Sequence, residues 1–198
     1  MKKTYTIKNI SVPVDWDSVP ALAADQVLWC ADTGIRAQGQ FCYDEENLYG
    51  HLSAAENVIR AENTEPLSPV HEDSCLEFFF RIPGSENYFN FEINPNGCVC
   101  IQAGPNRNDR VFLVRKDAVD YFAIRTNRTE AGWEAFYRVP LSFIRLFYPG
   151  YRFGETLEAN VYKCGDRTVN EHYLAWNPVD LENPDFHRPE FFGTFNFA

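Results

Sequence analysis

The sequence has one methionine, Met1, and no apolar run near the roughly 20 residues a helix needs to cross a bilayer. It lacks a phosphate-binding glycine loop, a dinucleotide fingerprint and a G-x-S-x-G nucleophile turn. Its six cysteines include no C-x-x-C pair, and its four histidines form neither H-x-x-x-H nor H-E-x-x-H. These absences argue against a zinc motif, and the size argues against a disulfide framework. Positive charge is scarce, with 18 Lys+Arg against 28 Asp+Glu and a net charge of −10. Polyanions and anionic membrane surfaces need clustered cations, so both are poor partners for this chain. An apolar leader segment is also missing, since polar residues follow Lys2 and Lys3 at once. The expectation is a cytoplasmic location for the chain as given, and an extracellular or periplasmic one if a leader has been removed.

What is present is aromatic. The 198 residues hold 17 Phe, 10 Tyr and 4 Trp, enough to build a core and to argue against disorder. One domain is expected over residues 1–198. The pattern is that of strands. In Cys75–Ile82, Leu76, Phe78, Phe80 and Ile82 alternate with Cys75, Glu77, Phe79 and Arg81. In Tyr88–Asn94, Phe89, Phe91 and Ile93 alternate with Tyr88, Asn90, Glu92 and Asn94. A period of two marks sheets with one apolar face. Pro83–Asn87 and Asn94–Gly97 read as turns, and Cys98–Ala103 completes a three-strand meander. In that strand Cys98 and Cys100 share a face and are expected as buried free thiols.

Further strands are expected at Tyr5–Ile7, Gln40–Tyr43, Leu48–Ala54, Tyr121–Thr126, Trp133–Val139, Glu158–Cys164, Tyr173–Trp176 and Phe191–Phe197. Helical periodicity is confined to Ser142–Phe147, and Val111–Val119 reads either way. Short strands without a βαβ rhythm predict an all-β fold, an antiparallel β-sandwich or jelly roll with at most one or two short helices.

The polar side of the meander carries Glu77, Arg81, Asn90, Glu92 and Asn94. It is either a solvated sheet face or a ligand platform. Carboxylates and amides on rigid strands suit sugar hydroxyls, which both donate and accept hydrogen bonds. Trp176, just before Asn177-Pro178, is either a packing residue or a surface on which sugar C–H groups stack. Trp16, Trp29 and Trp133 read as packing. Hydrolysis would need two carboxylates flanking a bond, for which Glu72, Asp73, Glu77 and Glu92 are the candidates. Haem held through methionine is disfavoured by the lone Met1, and the histidine spacing gives no support to a bis-His site.

Two stretches, Pro69–Phe80 and Tyr88–Asn94, resemble the central strands of family 9 carbohydrate-binding modules. Ala159–Asp166, Tyr173–Pro178 and Pro184–Gly193 extend the likeness. The resemblance implies a β-sandwich that grips the end of a sugar chain between two aromatic residues without catalysis. By position Trp176 corresponds to one stacking aromatic, Glu77 to the strand carboxylate and Asn94 to an amide ligand. His71 stands where the second aromatic is expected, and Glu92 where an arginine is expected. The family also implies calcium as a structural ion in acidic loops, with no ligands assigned. A glycoside hydrolase or other sugar-modifying enzyme is the alternative reading.

Overall fold

The computed structural model describes residues 2–65, 67–113 and 117–198. In chain order the elements are β1 (Thr4–Asn9), β2 (Ala21–Ala24), β3 (Gln26–Val27), β4 (Arg36–Tyr43), β5 (Asn47–Ala55), β6 (Cys75–Arg81), β7 (Tyr88–Ile93), β8 (Val99–Gly104), β9 (Val111–Phe112), α1 (Ala118–Tyr121), β10 (Arg125–Arg128), β11 (Gly132–Pro140), α2 (Leu141–Arg145), β12 (Leu157–Cys164), β13 (Tyr173–Ala175) and β14 (Gly193–Phe197).

Hydrogen bonding sorts the strands into two layers. One runs β10-β11-β5-β4, with β2 on the free side of β4. The other runs β14-β12-β6-β7-β8-β9, and β13 and β3 extend it beside β12. β1 joins the layers, pairing with β14 from Thr4↔Thr194 to Ile7↔Phe197 and with β4 at Lys8↔Cys42 and Asn9↔Tyr43. Both β1 pairings are parallel, which the antiparallel expectation did not include. The other strand ladders among the described residues are antiparallel. A β-sandwich with two short α-helices among the described residues is the expected architecture.

The apolar stripes of the sequence meet between the layers. Leu76, Phe78, Phe80, Phe89, Phe91 and Ile93 pack toward Phe41, Leu48, Leu52 and Tyr137. The Phe41 and Phe78 ring centroids lie 4.6 Å apart. Each such side chain contributes about 1.5–3 kcal/mol on burial. A slip of one residue would turn the whole stripe outward, so the stripe fixes the register.

A cluster of polar groups enters this core. Lys163 on β12 pairs with Glu56 at 3.2 Å, both side chains almost wholly buried. Glu56 also accepts from the Trp133 indole at 2.6 Å and from Ser74 Oγ at 2.9 Å. His172 Nε2 meets Lys163 Nζ at 2.6 Å. Burial, helped by the Lys163 charge, pushes His172 down to about 4, so its neutral ring can accept.

The structure departs from the sequence pattern in a few places. Tyr121–Thr126 is not one strand. The chain closes α1 with Phe122 N–H on Ala118 C=O at 2.9 Å and turns through Ala123 at φ 50°, and β10 starts only at Arg125. Phe122 and Ile124 still reach the core, which is why they alternate like a strand. In Val111–Val119, the first two residues form β9 and Ala118 opens α1, while 114–116 lie outside the described residues. β2 and β3 were not expected: Ala21–Ala24 holds no β-branched or aromatic residue, and Gln26–Val27 is only two residues long. Among the described residues no helix is long and apolar enough to cross a membrane.

Candidate functional site

The outward side of the β8-β7-β6-β12 sheet is not solvated. Loops cover it, and a second apolar cluster of Val70, Phe79, Tyr88, Tyr162 and Phe192 packs there. Between this cluster and the loops lies a cavity of about 370 Å³. Its floor is built by strand alternation. Glu77 on β6 is paired across to Glu92 on β7, and Glu92 to Cys100 on β8. Gln102 and Cys164 complete the floor. Phe112 on β9 lines one flank, with Tyr173 on β13 and Trp29 just beyond β3 on the other. His71, Arg107, Asp166, Phe186 and His187 come from loops.

The floor is electrostatically unusual. Glu77 and Glu92 are 3% and 6% exposed. Burial pushes the Glu77 carboxyl well above its ordinary value, and the facing Glu92 charge pushes it further. Burial also raises Glu92, against the opposing influence of His71, Asn90 and Arg110. Asp166 rises for the same reason, again opposed by His71. Removing a carboxylate from water disfavours its charged form, and a like charge across the strand adds to the effect. The Glu77–Glu92 pair therefore keeps a proton to higher pH than free carboxyls do.

Neighbours hold each group in place. The Cys164 thiol donates to Glu77 Oε1 at 2.9 Å. The Asn90 amide donates to Glu92 Oε1 at 2.8 Å and to Gln102 Oε1 at 3.1 Å. Asn90 Oδ1 accepts from Arg110, whose guanidinium lies 4.2 Å from the centre of the Tyr88 ring. His187 Nδ1 shares a 2.9 Å hydrogen bond with the Tyr88 hydroxyl, and burial pushes His187 down to about 3. Trp29 sits at φ 54°, a backbone region that bulky residues rarely occupy. Its indole N–H donates to Leu181 C=O at 2.8 Å, and its ring lies 5.7 Å from Tyr173 and 5.4 Å from Phe186.

Among the described residues one donor set has metal-like spacing. Cys75, Glu77 and Cys164 place their donor atoms within 4.8 Å of one another. Two sulfurs and one carboxylate suit a soft metal, whereas calcium takes six to eight oxygens. This set does not fit the calcium ion that the sequence resemblance implies.

Residues 9–197 match the sequence profile of carbohydrate-binding family 9. The chain belongs to carbohydrate-binding family 9. Solved structures share the fold. A candidate carbohydrate-binding protein from Bacteroides uniformis ATCC 8492 is 27% identical, with both chains covered completely and a TM-score of 0.85. A family 9 module from Caldicellulosiruptor kristjanssonii in complex with glucose is 13% identical, with a TM-score of 0.69 over 99% of this chain and 96% of that one. The same organism's module in complex with cellotriose is also 13% identical, with a TM-score of 0.67 over 98% and 93%. None of the proteins of curated function matches this chain.

Within this family 9 fold, three of the seven sequence-derived site residues line the cavity: His71, Glu77 and Glu92. Trp176 does not. Alternation along β13 sends Tyr173 and Ala175 outward and Leu174 inward, and Trp176 follows Leu174 into the sandwich core. Trp176 is 4% exposed, and its ring meets Phe195 edge-on at 5.3 Å. Gly193 lets it seat there, since a Cβ at that position would stand 2.7 Å from the indole. The expected stacking platform is therefore a core residue.

Asn94 is fully engaged elsewhere. Its amide donates to Asn63 C=O at 2.8 Å and to Asp73 at 2.9 Å, and its oxygen accepts from the N–H groups of Asn96 and Cys98. No donor or acceptor is left for a sugar. Asn90 sits behind Glu92 and holds it. Arg81 pairs with Glu158 at the far end of β6. Of the two thiols expected inside, Cys100 is buried at the cavity floor and Cys98, one residue before β8, is only half-buried.

The sequence reading missed Trp29, Phe112 and Tyr173. Tyr173 was within reach. It pairs with Cys164, which pairs with Cys75 on the Glu77 face, so the same period of two carries it to the cavity.

Proposed function

We propose that this family 9 domain recognises the end of a sugar chain in the cavity floored by Glu77 and Glu92, without acting chemically on it. One observation carries the reading: aromatic rings and strand-borne hydrogen-bonding groups converge on one cavity. Its volume, about 370 Å³, lies at the low end of the roughly 300–1,000 Å³ of small-molecule sites. Tyr173 and Phe112 supply apolar surface for sugar C–H groups. Glu77, Glu92 and Gln102 supply hydrogen bonds. Each such bond contributes about 0.5–1.5 kcal/mol net, so a single sugar unit is held modestly.

The two carboxyls support binding rather than hydrolysis. They stand side by side on adjacent strands of one floor. A glycosidase places its pair on either side of the scissile bond.

Calorimetric titration with a panel of mono- and oligosaccharides tests the proposal. Saturable binding is expected, weakened about tenfold or more by Tyr173→Ala. If the wild-type protein binds nothing across neutral and charged sugars, the reading fails.

A further inference from the structure

We propose that the sugar this cavity prefers carries a free amine. The inference rests on the sugar-binding reading above and narrows it. Its starting point is the direct cross-strand opposition of Glu77 and Glu92. Both are more than nine-tenths buried, and both line the cavity. Like charges placed opposite each other weaken a sheet. His71 and Arg110 favour the Glu92 charge and Lys163 the Glu77 charge, but none of them pairs with either carboxyl. Among the described residues, neither carboxyl forms an ion pair, and neither does Asp166.

The hydrogen bonding points the same way. Glu77 Oε1 is taken by Cys164 and Glu92 Oε1 by Asn90. The second oxygen of each has no hydrogen-bond partner among the described residues. The positive groups nearby are directed to other partners or lie outside the floor, and Arg110 keeps one buried N–H, at Nε, without a partner among the described residues. Arg107 is 3.6 Å from Asp185, and Arg110 serves Asn90 and the Tyr88 ring. His187 is bonded to Tyr88, and His71 stands exposed in the loop before β6.

The floor thus offers acceptors in excess of donors. A sugar hydroxyl brings one hydrogen to donate, and an ammonium brings three and a positive charge. A protonated amine over Glu77 and Glu92 would take up both free oxygens and release the proton the pair otherwise holds. Charge-assisted hydrogen bonds are roughly twice as strong as neutral ones, and the advantage grows in a site sheltered from water.

The test compares ligands that differ at one substituent. Glucose, 2-amino-2-deoxyglucose and its N-acetyl form are titrated calorimetrically at about pH 6, where the free amine is charged. The galactose series is run beside them. In at least one series the amine is expected to bind about tenfold or more tighter than both the parent and the N-acetyl sugar. Glu92→Gln should bring that ratio to within about threefold while its circular dichroism stays that of the wild type. Should this variant not fold, the wild-type comparison decides alone. Parent sugars binding as tightly as the amines in both series would overturn the amine preference and leave sugar binding intact. If no sugar binds, both readings fall.

Discussion

Lys163 and Glu56 form a buried ion pair, 3.2 Å apart, directly behind the cavity floor. The next residue along β12, Cys164, points the opposite way and bonds to Glu77. One strand therefore ties the core's charged network to the floor of the site.

That arrangement gives the first prediction. Glu56→Gln leaves Lys163 buried without its counter-ion. Unfolding in urea should show a loss of about 3–5 kcal/mol. The double variant Glu56→Gln with Lys163→Met should recover part of it, because the uncompensated charge is gone. A single variant as stable as the wild type would show that the pair contributes little.

Trp176 and Tyr173 should separate cleanly. Trp176→Ala empties a core position and should cost about 3–5 kcal/mol of stability. Tyr173→Ala, on the half-buried cavity flank, should cost less than that and lower sugar affinity instead. Thermal melts and calorimetry on the same two proteins make the comparison. Loss of affinity in a well-folded Trp176→Phe variant, with Tyr173→Ala unaffected, would reverse the assignment.

The acidic floor should leave a pH signature. Carboxyls whose folded-state pKa is raised lend their full share of stability below the ordinary value of 4.5. That share is lost as pH climbs through the raised folded-state values. Relative to wild type, Glu92→Gln should therefore gain stability progressively from pH 4.5 upward. Unfolding free energies of the two proteins over that range provide the check. A difference that stays flat with pH would contradict the placement of the pair.

Thiol reactivity offers a fourth prediction. Burial pushes Cys75 up to about 12, and the Cys75 hydrogen bond together with burial raises Cys164 well above its ordinary value. Cys30 and Cys98 are only half-buried. Alkylation followed by peptide mass spectrometry should label those two first, with Cys75 and Cys164 protected until the protein unfolds. Early labelling of Cys164 in folded protein would mean that the floor opens.

The strands were legible in the sequence wherever a period of two ran for five or more residues, as in β6 and β7. Both acidic floor residues followed from that alternation. Trp176 was misplaced for a different reason. A tryptophan beside Asn-Pro looks the same on either face, and the face is set by the pairing of β13 with β12. Trp29 gave no cue at all, since its position depends on a left-handed backbone residue between β3 and the next loop. Asn94 looked like a ligand because amides suit both sugars and turns. Its partners, Asp73 and Asn63, lie in a loop 21 and 31 residues upstream.

The parallel pairing of β1 with β14 bears on how the domain carries load. The first strand and the last lie side by side over Thr4–Ile7 and Thr194–Phe197. Force applied between the N-terminal end of β1 and the C-terminal end of β14 slides one strand along the other. The ladder's hydrogen bonds must then give way together, not one after another as they would in a peeled hairpin. The same strand also bonds to β4, so this shear clamp spans both layers of the sandwich. The proposed sugar site, on the outer face of β6 and β7, lies on strands outside that load path.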